Sequence, residues 1–524
     1  MFIFALTVST CLVVVLVAKP FSRKPKGAKT LPGPKGKLFL GSDLGTEYFW
    51  VQFEEWARQY GPIYQYKRLG QVNVVVSTEK IANDLLRERG NIYSSREQAP
   101  MASHLLSDNK RALFLPYNDD WRKVRKFQHQ VTMPKAATSY QPLQLQESAR
   151  LTQDLISDPK NYQTLFKRYA SSLILRLTYD TRIETGDEET VRLVYENQSN
   201  AERIAAPGQY LVDVLPILMW LPKWLAPFKQ EAAVHRKREV ALFSGLVEDV
   251  RIDLESGNVR PCFTQKWLEN KEEYGISDLQ AAYVLGGLFS AAASTTASLA
   301  MSFVLLMVLN PEWLSKMQEE LDRVVGPDRL PTFDDLPRLP TVRAVVKETA
   351  RLRPATPGGI AHKTTADDVY NGLFIPKGSL IHPNLWAIQR DPELYPEPDS
   401  FNPNRWLSPK YPTTYREPLT QYPNCQNYSV FGFGRRLCPG SNIAERSLNI
   451  IVARLGWACN ITKAKDPVSG KDITPPSFNY VKGLNTEPHQ FPFEISCRSS
   501  ERWATIEMEA AAAKEELRRP SVRA

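Results

Sequence analysis

From Leu279 to Asn310 the chain carries no charged side chain over 32 residues. As a helix, at about 1.5 Å per residue, this stretch would be about 48 Å long. By hydropathy it reads either as a membrane span or as the central helix of a large helical core. Its middle decides. Gly286, Gly287, Ser290, Ser294, Thr295, Thr296 and Ser298 form a small, polar patch half-way along, which lets something bulky lie against the helix. A span here would also strand the downstream half of the chain in the lumen. The core helix is the better reading, and it implies a large, α-rich protein.

The rest of the composition agrees. Hydrophobic residues make up 43% of the 524 residues and charged residues 23%, which excludes a disordered chain. Six cysteines stand far apart, at 11, 262, 425, 438, 459 and 497, with no CxxC pair. That excludes a zinc ribbon or a disulfide scaffold and suits a reducing compartment. The net charge of +9 is concentrated at the start: residues 1–37 hold +7, residues 498–524 hold +1, and the body 38–497 is near +1. A nucleic-acid protein carries its basic surface on the folded body, so nucleic acid is not an expected partner.

Residues Phe2 to Ala18 are uncharged and rich in Val, Leu and Phe, and Lys19 opens a basic patch directly after them. A signal peptide has the opposite charge order. The pattern predicts a single-pass transmembrane anchor over 1–18 whose following lysines stay on the cytoplasmic side. Residues 19–37 form a basic linker ending in the stiff Leu31-Pro32-Gly33-Pro34. The body then spans 38–497, and 498–524 forms a helical tail extending from it.

Along the body, Thr46–Tyr60 reads as a helix capped by Thr46 and stopped by Gly61-Pro62. Ile63–Lys67 and Val72–Val76 read as a hairpin across Leu69-Gly70-Gln71. Thr78–Arg89 is helical with Gly90 as its stop. Helices dominate from Asp119, with short strands near 360–382 and 477–496. Tyr210–Phe228 is rich in Trp, Leu and Pro, and reads either as a lid dipping into a membrane interface or as a buried connection.

The chemistry centres on Phe431-Gly-Phe-Gly-Arg-Arg-Leu-Cys-Pro-Gly440. Gly432, Gly434 and Gly440 allow close backbone approach to a flat object. Cys438 opens an apolar-periodic segment, so its thiolate would meet a helix N-terminus, which favours ionisation and metal ligation. Arg436 is placed to pair with a carboxylate and Phe431 to shield the sulfur. The bland reading is a glycine-rich loop with a structural cysteine. Six fixed identities arise by chance on the order of once in a hundred million starts at average composition, so the bland reading loses.

With this motif the chain resembles the cytochrome P-450 family over residues 31–497, a family whose haem iron takes a cysteine thiolate. The resemblance implies a triangular α+β fold, mainly α with a smaller β portion, around a long central helix. It implies haem b with Cys438 as the axial ligand. Glu348-Thr-Ala-Arg351 looks like the family's helix motif that locks to a later arginine, here Arg405, to hold the haem core. Trp121 and Arg125 resemble the W-x-x-x-R helix that reaches the haem propionates. His362 matches a position that donates to a propionate, and Arg96 is a further candidate. Ala291–Thr296 aligns with the family's Ala-Gly-x-acid-Thr-Thr, which places Thr295 where a threonine helps deliver protons for O–O cleavage. Two departures stand out: Ala292 replaces glycine, and Ser294 replaces the acid. Serine relays protons only through water, which makes desaturation, ring rearrangement or coupling alternatives to hydroxylation.

The expected activity is oxidation of a lipophilic small molecule with O2, in secondary metabolite biosynthesis. The resemblance implies electrons from a separate NADPH-dependent flavoprotein reductase, and the chain carries no dinucleotide fingerprint of a fused one. The expected location is the endoplasmic reticulum membrane with the catalytic domain cytoplasmic. Two other classes stay open: a haem-thiolate isomerase or dehydratase acting on peroxides, and a noncatalytic membrane haem sensor or electron carrier.

Overall fold

The computed structural model describes residues 24–37, 41–42, 44–45, 47–206, 208–414 and 428–518. The expected anchor over 1–18, the Thr46 cap and the last residues of the tail lie outside them. The chain divides into two compact units. One comprises the residues up to Glu97 with Gly358–Ile388 and Phe433–Arg436; the other comprises Gln98–Pro357, Gln389–Gly432 and the chain from Leu437 onward.

In the first unit, helix α1 (Phe49–Tyr60) buries Trp50 and Phe53 and ends at Gly61, whose φ of +98° no longer continues a helix. The hairpin forms as expected: β2 (Ile63–Arg68) pairs with β3 (Gln71–Val76), Ile63 opposite Val76. Leu69 and Gly70, at φ +48° and +77°, supply the two left-handed residues of a tight turn. Further short strands follow, β4 (His362–Lys363), β5 (Asp368–Tyr370), β6 (Leu373–Ile375) and β7 (Leu380–Pro383). They build a sheet of order β2-β3-β7-β4, and β6 pairs with β5 and with β1 (Lys29–Thr30) in a second sheet. Val74, Val76, Leu85, Leu86 and Ile381 lie together in the core.

Gly90 does not stop the helix expected over 78–89. The chain is helical from Glu79, passes through a π-helical turn at Asn83–Glu88, and then starts another turn at Gly90–Tyr93. Arg89, at φ −92° and ψ 20°, makes the break, and Gly90 is not among the positive-φ glycines.

The second unit is helical. Its main helices are α2 (Asp119–Thr132), α3 (Gln141–Ser157), α4 (Tyr162–Tyr179), α5 (Glu189–Ala205), α6 (Pro227–Glu255), α7 (Asp278–Leu309), α8 (Pro311–Val324), α9 (Pro340–Leu352), α10 (Ser441–Ala458) and α11 (Ser500–Arg518). The uncharged stretch is α7, mostly buried among α4, α6 and α10. Ser277 caps it, its hydroxyl accepting from the Gln280 N–H at 3.3 Å. Gly286 is required for packing, because a Cβ there would sit 2.4 Å from the Phe243 ring of α6. Two small antiparallel pairs complete the unit: β8 (Cys459–Thr462) with β11 (Glu494–Cys497), and β9 (Ala464–Lys465) with β10 (Asp472–Ile473). The strands at 459–465 are additional to those read from the sequence.

The tail is helical but does not extend from the body. Helix α11 lies along α3 and buries Ile506, Ala510, Ala513 and Leu517, spaced to form one stripe. At its base Arg498 and Arg502 both reach Asp322, at 2.7 Å each. They hold the Asp322 carboxyl below its ordinary range, the Arg498 hydrogen bond being the main cause. That contribution is present above the unfolded carboxylate pKa and is lost as pH falls through the depressed folded value. Deleting residues 500–524 removes the apolar stripe. Ile506 and Leu517 alone carry about 1.5–3 kcal/mol each of burial, so the truncated protein is expected to unfold at clearly lower urea concentration. An unchanged midpoint would show that α11 adds nothing.

Candidate functional site

The motif loop of the second unit is held by its own backbone. The Cys438 N–H donates to the Phe431 carbonyl at 2.9 Å, closing the segment. Gly432 turns at φ +85°, and the space where a Cβ would stand is open. Gly440 precedes α10, and its carbonyl accepts from Ile443 N at 3.0 Å. Cys438 is half-buried. Burial pushes its thiol up, against the downward pull of the Gly440 N–H, the Arg125 guanidinium and the Ser441 N–H. The helix N-terminus therefore acts in the direction expected from sequence, but burial outweighs it for the free thiol. A metal ion, whose charge is far larger, would reverse that balance.

Helix α2 brings Arg125 to the same loop, with Nη2 donating to the Leu437 carbonyl at 2.6 Å. Asn118 caps this helix by accepting from Trp121 N at 3.0 Å, and Trp121 is buried one turn before Arg125.

Glu348, Arg351 and Arg405 come together as the resemblance implied, all three fully buried. Glu348 takes Arg351 at 2.8 Å and Arg405 at 3.2 Å. Its remaining lone pairs are filled by the Asn402 N–H at 3.0 Å and the Trp406 indole N–H at 3.1 Å, two partners that sequence reasoning missed. Arg351 also donates to the carbonyls of Gln389 and Pro398, each at 2.8 Å. The group ties α9 to the 389–406 segment.

On α7 the middle differs from both ends. Gly287, Ala291, Ala292, Ser294 and Thr295 are incompletely buried, whereas the helix from Thr296 to Val308 is buried throughout. At helical spacing they line one accessible stripe. A Cβ at Gly287 would meet open space. The Thr295 hydroxyl donates to the Ala291 carbonyl at 2.9 Å. The Ser294 hydroxyl is enclosed and has no hydrogen-bond partner among the described residues.

In the first unit a basic group gathers on separate elements. Arg96, buried, donates to the Ile360 carbonyl at 2.7 Å and to the Ala361 carbonyl, and burial pushes its guanidinium down to about 9. His362 on β4 lies with Nδ1 2.8 Å from the Tyr93 carbonyl. Burial, and then the charges of Arg96 and Arg436, hold its imidazole well below the usual histidine range. A neutral ring with Nδ1–H given to that carbonyl offers Nε2 as an acceptor. Donation to a carboxylate therefore requires the imidazolium, which an approaching carboxylate favours. Arg436 Nε donates to the Ser94 carbonyl at 2.8 Å. Gly434 serves the protein's own packing: at φ +56°, a Cβ would fall 2.1 Å from the Leu86 carbonyl oxygen.

These residues fit a flat, dianionic macrocycle with a metal at its centre. The second unit offers a thiol beside a helix N-terminus, the half-buried Arg125, an open glycine turn, and a stripe of small residues with an orphaned hydroxyl; the first offers the buried Arg96 and the half-buried Arg436.

The comparisons agree. The family model described as Cytochrome P-450 matches residues 31–464. Cytochrome P-450 monooxygenase 69 of Postia placenta is 34% identical, the match covering 93% of each chain. Cytochrome P-450 monooxygenase virE of Hypocrea virens is 34% identical, over 93% of this chain and 87% of that protein. A zebra fish cytochrome P-450 structure with abiraterone superposes with a TM-score of 0.66 at 22% identity, covering 86% of this chain and all of the other, which speaks for the fold. The chain belongs to the cytochrome P-450 family. It is a monooxygenase of the kind found in fungi, one that carries haem on a cysteine thiolate. Members use O2, a redox partner and lipophilic substrates.

Proposed function

We propose that this protein oxidises a lipophilic small molecule in secondary metabolite biosynthesis, with Cys438 as thiolate ligand to haem b and electrons from an NADPH-dependent flavoprotein reductase. The observation that carries the reading is the Cys438 loop: a half-buried thiol facing the N–H groups that open α10, beside Arg125 and an open glycine turn. Haem, when bound, supplies activation of dioxygen and attack on an unactivated carbon. The chain's residues do the rest. Arg96, Trp121, Arg125, His362 and Arg436 are the residues that would hold the propionates. Phe431 keeps water from the sulfur. Glu348, Arg351 and Arg405 fix the backbone that carries the loop.

Proton delivery falls to Thr295 and Ser294. With no acid at 294, the Ser294 hydroxyl hands on a proton only through a water it holds, and its orphaned state suits such a water. Replacing Thr295 by Ala is expected to lower product formed per NADPH by about tenfold or more, with peroxide released instead. Ser294→Asp is expected to raise that ratio; no change, or a fall, would contradict the water relay. The same orphaned serine favours the second reading, a peroxide isomerase or dehydratase. Purified protein with reductase, NADPH and lipophilic candidates should consume O2. Turnover of a hydroperoxide without O2 or NADPH would establish the second reading instead.

The 211–225 segment supports a membrane face on the endoplasmic reticulum. Trp220 and Trp224 are 88% and 76% exposed, with Leu211, Ile217 and Leu225 exposed beside them. These exposed side chains favour the lid over the buried connection, while Val212, Leu218, Met219 and Phe228 of Tyr210–Phe228 pack inward. Exposed indoles flanked by aliphatic side chains suit a bilayer interface. In lipid nanodiscs, bromine-labelled acyl chains are expected to quench the protein's tryptophan fluorescence. The Trp220→Phe, Trp224→Phe double variant should lose most of that quenching, and equal quenching in both proteins would contradict the membrane face.

A further inference from the structure

Among the carboxylates of α5, α6 and the loop before β11 are Glu202, Glu231, Glu239 and Glu487. Three have a cation. Glu487 takes Lys167 at 2.8 Å, Glu231 takes Arg203 at 2.7 Å, and Glu239 takes Arg111. Glu202, on α5, has no ion-pair partner among the described residues. It is held by two amides, both on Oε1: Gln198 Nε2 at 2.6 Å and Asn485 Nδ2 at 2.9 Å. The side-chain Oδ1 of Asn485 in turn accepts from the Thr356 hydroxyl at 3.0 Å. Oε2 receives no hydrogen bond among the described residues. Partial burial raises the Glu202 carboxyl above its ordinary value, with the Glu487 charge acting the same way, against the downward pull of the two amides and of the more distant Arg111 charge.

The elements carrying this group are fastened to α7 around its accessible stripe. The Tyr195 hydroxyl of α5 donates to the Ala293 carbonyl at 3.2 Å, next to Ser294. Ser298 Oγ donates to the Thr486 carbonyl, and Thr486 N donates to the Ala355 carbonyl at 2.9 Å. Ala355, Thr356, Leu484, Asn485, Gln198 and Glu202 are all incompletely buried. The Glu202 carboxylate, the Gln198 and Asn485 amides and the Thr356 hydroxyl are joined there by hydrogen bonds. Glu202 follows Tyr195 by seven residues, so it stands about 10 Å further along α5.

We propose that Glu202 is the specificity-determining residue: substrate places an O–H or N–H donor on Glu202 Oε2, two helical turns along α5 from the Tyr195 contact with α7. Asn485 and Gln198 hold the carboxylate in place by occupying Oε1. This rests on the monooxygenase reading and narrows its substrate class to lipophiles with a remote hydrogen-bond donor. A charge-assisted hydrogen bond to a desolvated carboxylate is stronger than one between neutral groups, and an ether or hydrocarbon at the same place leaves that carboxylate unmet.

The test uses the full-length haem protein and matched ligand pairs: long-chain and polycyclic alcohols with their methyl ethers, and tertiary amines with their hydrocarbon isosteres. Binding is read from the ligand-induced shift of the haem absorption band. The donor member of a pair is expected to bind about tenfold or more tighter. Glu202→Leu should erase that preference while leaving the ethers and hydrocarbons unchanged. Glu202→Gln, which keeps an acceptor but no charge, separates the two sources: it retains a preference for alcohols and loses one for amines. A wild-type protein with no donor preference, a preference that survives Glu202→Leu, or a panel in which no donor binds would each overturn the proposal. The ferrous carbonyl spectrum of the same preparations reports the haem site separately, so a failed preference with a normal spectrum counts only against Glu202.

Discussion

Glu348→Ala is expected to leave little or no folded haem protein. The substitution strands Arg351 and Arg405, both fully buried, without their carboxylate. Removing one partner of such a buried group costs about 3–5 kcal/mol, because the remaining charges stay out of water. It also leaves the Asn402 N–H and the Trp406 indole N–H without their acceptor. Each such group costs about 1–3 kcal/mol when buried unmade. Together these approach the whole stability of an ordinary domain, about 5–15 kcal/mol. The conservative Glu348→Gln keeps an acceptor for some of these donors and should lose less. Haem content per purified protein, measured with urea unfolding, is the check. A soluble Glu348→Ala protein with full haem content would show that the group is incidental to the haem core.

Cys438→Ser carries the other large effect, and it falls on chemistry more than on folding. The side chain is half-buried and nearly the same size, so the loop closed by Cys438 N and Phe431 O should persist. What is lost is the only described cysteine that combines partial exposure, a helix N-terminus and a nearby guanidinium. Cys262 is buried, with its thiol pushed up to about 12, and burial drives Cys459 higher still. Cys497 lies on β11 with its Sγ donating to the Ser499 carbonyl at 3.2 Å. None of these can replace it. NADPH-supported oxidation is expected to fall to background in Cys438→Ser, measured as product formed with reductase present. Residual turnover at a tenth of wild type or more would point to another ligand.

The features legible in the sequence were those written in local spacing. The Phe431–Gly440 motif, the Glu348 and Arg351 pair on one helix face, and the Trp121 and Arg125 turn each lie within a few residues. The uncharged run that became α7 is likewise one continuous stretch of sequence. Features that depend on what packs against what were not legible. Gly434 reads as a cradle in the motif, yet it is Leu86 that comes against it. Gly90 reads as a stop, but Arg89 makes the break. The tail looked free because its apolar stripe of Ile506, Ala510, Ala513 and Leu517 is sparse among glutamates and alanines, and only the surface of α3 explains it. The state of His362 depends on a carbonyl 269 residues away and on two arginines brought beside it by folding. Glu202 and Asn485 are 283 residues apart, and no local pattern marks either one.

The account rests on sulfur ligation by Cys438, and the carbon monoxide difference spectrum of the reduced protein reads that bond directly. Wild type should show the red-shifted ferrous carbonyl band that thiolate ligation produces. Cys438→Ser should lose it while Cys262→Ala and Cys497→Ala keep it. A red-shifted band that persists in Cys438→Ser would contradict the assignment.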